Sequence, residues 1–311
     1  MLRPLRLVPD NTHIRFMRGR LAGPLVSAVL SVASLFLFVW PGLNYGIDFQ
    51  GGVVAELRTP GPADLAALRG AFEGLHLGEV KLQNFGTDRD VRITLSERAA
   101  NDAGNRAVRA MIAERFPGSE IRSFEAIGAR VSGELFRRGL EASGAALSAV
   151  LIYVWFRFDW QYGVGMVATL LLDLTKTIGF LALTRLQFDL NTVAAILTLI
   201  GYSVTDKIVV YDRIRENVRK HRGLALREVI DLSINQTLGR TVATSLTVLL
   251  SIMPLALIGH ESIRDFALTI IFGIVVGTSS SIFIASPILL YLGQGKLGRG
   301  SATRAAAAAP E

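Results

Sequence analysis

The sequence predicts a polytopic α-helical membrane protein: six transmembrane helices, with one extracytoplasmic ferredoxin-like α+β domain between helices 1 and 2. Three observations carry this. Half of the 311 residues are hydrophobic. Apolar runs at residues 21–40, 139–157, 161–184, 190–212, 241–258 and 265–292 are each long enough to cross hydrocarbon, about 20 residues at a rise of about 1.5 Å sufficing. Between the first two runs, residues 41–138 have the mixed composition of a water-soluble domain. The absence of cysteine excludes disulfide scaffolds, zinc ribbons, iron–sulfur clusters and cysteine nucleophiles. A chain this apolar is not a disordered one.

Residues 1–20 read as a cytoplasmic tail. The first run, Leu21 to Trp40, is uncharged and too long for a signal-peptide core, so it reads as a retained anchor. In the soluble stretch, strands at 52–58, 79–85, 90–95 and 120–126 alternate with helices at 62–75 and 99–116, the order βαββαβ of a split ferredoxin-like sandwich. Its 13 basic and 13 acidic residues cancel, and no catalytic cluster is visible. It reads as a binding or coupling domain.

Orientation follows from the short loops. Arg3, Arg6, Arg15, Arg18 and Arg20 precede span 1; Arg213, Arg215, Arg219, Lys220, Arg222 and Arg227 follow span 4; Lys296, Arg299 and Arg304 follow span 6. The opposite loops hold only Arg185 and Arg264, which places both termini in the cytoplasm. The net charge of +7 is thus a topology signal, with no need of a nucleic-acid partner. Residues 213–239 read as a cytoplasmic loop with an amphipathic helix built on Leu224, Leu226, Val229, Ile230 and Ile234, and 293–311 as a disordered cytoplasmic tail.

No Walker-type Gly-x4-Gly-Lys-Ser/Thr is present, and the four histidines match no metal spacing. What stands out is charge inside the hydrocarbon: Asp173 and Lys176 in span 3, Asp206 and Lys207 in span 4, Arg240 at the entry to span 5. Each isolated mid-membrane charge costs about 2.5–3.5 kcal/mol on insertion scales, so these groups are paired or face a polar cavity. Depth places Arg240 level with Asp206, close enough to meet it. Thr198, Tyr202, Thr205 and Asp206 share one helix face and suggest a polar stripe. Gly273, Gly277, Ser281 and Ala285 recur every four residues, a pattern for close helix approach. Two membrane carboxylates also suggest an intramembrane aspartyl protease, but three nearby cations oppose a shared proton.

The stretches GIDFQGG (46–52), YVWFRFDWQYGVG (153–165), IGYSVTDKIVVYDRIREN (200–217) and SINQTLGRTVATSLT (233–247) resemble the SecD/SecF family of the resistance–nodulation–division superfamily. The resemblance implies a non-enzymatic accessory subunit of protein export in the bacterial inner membrane. It would use the proton motive force and no cofactor, with sodium open as an alternative ion. Its implied partners are a SecD homologue, the SecYEG channel, the translocating polypeptide and membrane lipid, with YajC and YidC as further candidates. A small-molecule exporter of the same superfamily is the rival reading. Asp206 and Arg240 match the family's proton relay, and Gly51 and Gly52 its glycine motif. Asp173, Lys176 and Lys207 are supporting charges. The sequence departs from the family at Leu172, where a His is usual, at Lys176, usually apolar, and at Lys207, usually small and polar.

Overall fold

The protein is described by a computed structural model covering residues 8–9, 12–84, 86–259 and 261–293. The expected tail beyond residue 293, the basic residues Arg3, Arg6, Lys296, Arg299 and Arg304, and the end of the expected strand at Phe85 lie outside the described residues.

In chain order the elements are α1 (Ala22–Val39), β1 (Asn44–Tyr45), the single turn α2 (Ile47–Gln50), β2 (Gly52–Arg58), α3 (Leu65–Glu73), β3 (Val80–Asn84) and β4 (Asp90–Leu95). There follow α4 (Asp102–Arg115), β5 (Glu120–Ile127), α5 (Ala129–Arg157), α6 (Trp160–Thr184), β6 (Gln187–Phe188), α7 (Leu190–Lys220) and α8 (Leu226–Ile258). The last helix runs as α9 (Glu261–Ser280), a π-helical turn (Ser281–Ala285) and α10 (Ser286–Gly293). Among the described residues six helices are long and apolar enough to cross a membrane, the last taken as 262–293.

The chain divides into two compact units, a helical one (1–43, 144–186, 191–311) and an αβ one (44–143 with 187–190). In the αβ unit the four-stranded antiparallel sheet has the order β3-β4-β2-β5. Period-2 alternation sends Val53, Ala55 and Leu57 of β2 and Val91, Ile93 and Leu95 of β4 to one face. Leu68 and Phe72 of α3 and Val108 and Ile112 of α4 complete that core. The opposite face is polar, with Glu56 set across from Arg92 at 2.9 Å. Both helices begin later than their apolar patterns predict because side chains cap them. The Asp64 carboxylate accepts from the Ala66 and Ala67 amides, and the Asn101 carbonyl from Gly104. A short parallel ladder of β1 with β6, and a hydrogen bond of 2.9 Å from the Leu190 amide to Asp48, bring the loop after α6 into this unit.

In the helical unit, Tyr162, Met166, Leu170, Ile200, Val204, Tyr211, Ile234 and Leu289 form the buried core. Arg157, at the end of α5, grips Asp212 of α7 with two bonds of 2.9 and 2.7 Å. The expected loop at 213–239 is not a separate element: residues 213–220 continue α7 and 226–239 open α8, leaving a turn of five residues, 221–225. No proline interrupts either stretch, and a helix leaving the membrane keeps its internal hydrogen bonds in water. Polar side chains of this part of α8 hold the segment before α1: Asn235 exchanges bonds of 2.9 and 2.8 Å with the backbone of Ile14, and Asp231 accepts from the Met17 amide at 2.8 Å.

Gly51 and Gly52 join α2 to β2 with φ of +73° and +138°. A side chain at Gly52 would also drive its Cβ into the Leu95 carbonyl. Gly52→Ala is expected to cost about 1–3 kcal/mol, seen as earlier protease cleavage of the αβ unit in the purified full chain. Gly61→Ala, with open space around it, leaves the digestion unchanged.

Candidate functional site

Small residues let the helices of the helical unit approach closely. Gly179 of α6 lies against Ser34 of α1, Gly273 of α9 against Leu199 of α7, and Gly277 of α9 against Ser203 of α7. The expected four-residue spacing of small residues on the last helix thus lies against α7.

Where they converge, Asp173 of α6 is buried at 6% exposure and Lys207 of α7 at 0%. The Lys207 ammonium donates to Asp173 Oδ2 at 2.9 Å. It also donates to Ser203 Oγ at 2.5 Å, to Ser280 Oγ at 3.0 Å and toward the Ser203 carbonyl at 3.4 Å. Each serine hydroxyl in turn donates to Asp173 Oδ2, Ser203 at 3.0 Å and Ser280 at 2.6 Å. The other carboxylate oxygen, Oδ1, accepts from Lys176 at 3.2 Å, and Lys176 also donates to Ser27 of α1 at 3.1 Å. Asp173 therefore accepts four hydrogen bonds, two of them from ammonium groups. That saturation is what holds a charged carboxylate away from water.

Asp206 is held differently. It is buried at 8% exposure and lies beside Ser281 of the π-turn, Thr241 of α8 and Lys207. Yet its Oδ2 and the Thr241 hydroxyl both lack a hydrogen-bond partner, and no ion pair joins Asp206 to a cation among the described residues. The approach to these hydroxyls therefore falls short of bonding geometry. Adjoining Asp206, Tyr202 Oη, Ser245 Oγ and Thr278 Oγ1 form a hydroxyl chain with links of 2.7 and 2.8 Å across α7, α8 and α9.

Arg240 does not reach Asp206. Its neighbour Thr241 faces the carboxylate, and successive helical residues point about 100° apart, so the guanidinium turns outward, exposed and without a side-chain partner among the described residues. The expected continuous stripe also divides. Tyr202 and Asp206 face α8, whereas Thr198 and Thr205 are exposed and bond back to Ala194 and Gly201 of their own helix at 2.9 and 2.8 Å. No hydrogen bond joins Asp173 to Asp206 among the described residues, so the arrangement is not a proton-sharing dyad. Gly51 and Gly52 belong to the αβ unit and are not part of this cluster. Sequence reasoning missed Ser27, Ser203, Thr241, Ser280 and Ser281 as participants. The serines of α1 at 27, 31 and 34, spaced along one buried face, left a periodic trace, and Ser281 stood in the four-residue repeat that reads as close helix packing.

A family profile described as "Protein export membrane protein SecD/SecF, C-terminal" matches residues 107–295, and another, "SecD/SecF GG Motif", matches 38–59. The protein translocase subunit SecF of Rickettsia akari (strain Hartford) is 42% identical over 292 residues, 92% of this chain and 94% of the relative. That of Cereibacter sphaeroides is 39% identical over 299 residues, 93% and 92% of the two chains. A crystal structure of SecDF, a translocon-associated membrane protein from Thermus thermophilus, superposes with a TM-score of 0.84 at 34% identity, covering 94% of this chain. This chain spans 40% of that one. A SecDF structure in a super-membrane-facing form gives a TM-score of 0.70 at 32% identity, covering 99% of this chain and 42% of its own.

The cluster sets a ranking of stabilities. Asp173→Asn strands two buried ammonium groups, whereas Lys176→Met leaves the Asp173–Lys207 pair intact. Breaking a buried pair costs about 3–5 kcal/mol. In detergent, Asp173→Asn is expected to lower Tm well below Lys176→Met, and adding Lys207→Met to Asp173→Asn to recover part of the loss.

Proposed function

Since this chain belongs to the SecD/SecF protein-export membrane family, a multi-pass membrane family, we propose that it is an accessory subunit of Sec-dependent protein export in which Asp206 takes up and releases the coupling proton. The observation that carries this reading is the contrast between the two buried carboxylates. Asp173 accepts from two ammonium groups and two hydroxyls, while Asp206, one helical turn from Ser203, keeps an oxygen without a partner among the described residues.

Charge counting favours the same assignment. Asp173, Asp206, Lys176 and Lys207 sum to zero when Asp206 is ionised and to +1 when it is protonated. Both states are one charge or less from neutrality, so a proton can come and go without stranding a large charge in the low-dielectric interior. The hydroxyl chain from Tyr202 to Thr278 supplies polar groups next to Asp206 along which water or a proton can pass. Arg240, turned outward here, would act as the carboxylate's counter-charge after a rotation of α8 or a shift of α7. That movement is the conformational step which proton uptake would bias. One elementary charge crossing about 100 mV supplies about 2.3 kcal/mol, enough to shift a two-state equilibrium roughly fiftyfold.

In this reading the αβ unit is the extracytoplasmic ferredoxin-like domain that moves against the exported polypeptide, and both termini are in the cytoplasm at the inner membrane. A SecD homologue would complete the transport unit, because the SecDF chains are more than twice this chain's length. Broad apolar surface on α1 and α5, including Leu25, Val29, Phe36, Ile152, Trp155 and Phe156, is available to that partner or to lipid. SecYEG is the channel that such a unit would serve.

The reading is tested in inverted membrane vesicles carrying the full export machinery. Asp206→Asn is expected to abolish the uncoupler-sensitive part of precursor export while leaving ATP-driven export in place, and Asp206→Glu to keep a measurable fraction. Undiminished uncoupler-sensitive export by Asp206→Asn would refute it.

A further inference from the structure

The oxygen atoms around Lys207 have the composition of a cation site. One carboxylate oxygen (Asp173 Oδ2), two hydroxyls (Ser203 and Ser280) and one backbone carbonyl (Ser203) surround the ammonium within 2.5–3.4 Å. Three helices contribute, since Asp173 is on α6, Ser203 on α7 and Ser280 on α9. Every one of these residues is buried, Lys207 and Ser280 completely. An ammonium has only three protons to give, and four acceptors converge on it. That surplus is the hallmark of a shell of lone pairs built for a positive charge as such, and a hydroxyl or carbonyl serves a metal cation equally well.

We propose that Lys207 is a tethered cation: its ammonium fills an oxygen cage that would otherwise bind a small monovalent metal ion, sodium foremost, so that this subunit's coupling is confined to a proton at Asp206. The proposal deepens the function proposed above by naming the residue that sets ion choice, and rests on that reading for the role of Asp206.

The physical logic is competition within one shell. The cage holds one carboxylate, and the ammonium already satisfies its Oδ2 while Lys176 satisfies Oδ1. A sodium ion entering beside Lys207 would bring a further positive charge to a carboxylate oxygen, Oδ2, that already takes three donors. Its hydroxyl ligands are committed as well, since Ser203 and Ser280 both donate to Asp173 and accept from Lys207. A proton needs no such shell: it needs one carboxylate oxygen without a partner, which Asp206 has among the described residues. Because the competing cation is covalently attached and buried, its local concentration is fixed, and no external sodium level displaces it by simple mass action.

Removing the ammonium should therefore turn the cage into a sodium site. The test compares thermal unfolding of the purified full chain in detergent, in sodium chloride and in choline chloride at equal ionic strength. Wild type is expected to unfold at the same temperature in both salts. Lys207→Ser is expected to unfold earlier than wild type in choline, to recover with rising sodium in a saturable way, and to lose that recovery when Asp173→Asn is added. Where the serine variant shows no cooperative transition in choline, its appearance in sodium supports the proposal. Lys207→Gln, which nearly keeps the side-chain volume, provides the same comparison on a better-packed protein. A saturable sodium-specific stabilisation of wild type, or its absence from folded Lys207→Ser and Lys207→Gln, overturns the tethered-cation role. The readout involves no transport, so its failure is distinct from failure of the proton role of Asp206, which export by Asp206→Asn reports.

Discussion

The buried ion pair of Asp173 with Lys207 is the constraint around which the helical unit is arranged. Taking either charge out of water alone costs several kcal/mol, and the pair offsets that only when the remaining lone pairs and protons are also satisfied. Here the remainder is supplied by hydroxyls on other helices: Ser203 on α7 and Ser280 on α9, with Lys176 carrying the connection to Ser27 on α1. Four helices must therefore stand close together at one depth. Gly179 against Ser34 and Gly277 against Ser203 are the places where the absence of a side chain makes that approach possible. Packing and electrostatics impose the same geometry.

Against this fixed cluster Asp206 is set one residue away on the same helix, in surroundings that hold it weakly. Its neighbours are the hydroxyls of Ser281 and Thr241, and Ser281 opens the π-helical turn. That turn lies just before Pro287, whose ring removes a backbone donor. Two hydroxyls bond to carbonyls of the π-helical turn itself: Ser286 Oγ donates to Ser281 O at 3.1 Å and Tyr211 Oη to Ala285 O at 3.0 Å. The helix irregularity is thus stabilised from two sides, and it places adjacent serines at the two carboxylates, Ser280 at Asp173 and Ser281 at Asp206. In the function proposed here, an ion pair held from several sides next to a loosely held carboxylate would separate the framework from the group that changes state.

How much was legible in advance varies with the kind of relation. The i, i+3 placement of Asp173 and Lys176 on one helix face made their pairing readable from spacing alone. The bond between Lys207 and Asp173 was not, because it joins α6 to α7, and axial depth says nothing about which way a side chain points around its helix. The same gap bears on the expected pairing of Arg240 with Asp206: Thr241 holds the position facing the carboxylate, and Arg240 is turned away. Helix ends were likewise underestimated. Hydropathy marks where the apolar run stops, whereas α7 and α8 continue past it on their own hydrogen bonds, absorbing most of what read as a loop.

Composition and periodicity by themselves determined the six apolar helices, the inserted αβ unit with its alternating strands, and the presence of charges in the hydrocarbon that demand partners, since each follows from local chain properties or from the cost of desolvation. Which partners those charges take was decided only by the folded helices. Rotation about a helix axis and the approach of one helix to another are set by the summed packing of many side chains, and small hydroxyls distant in sequence become ligands only once that packing has brought them to the same point.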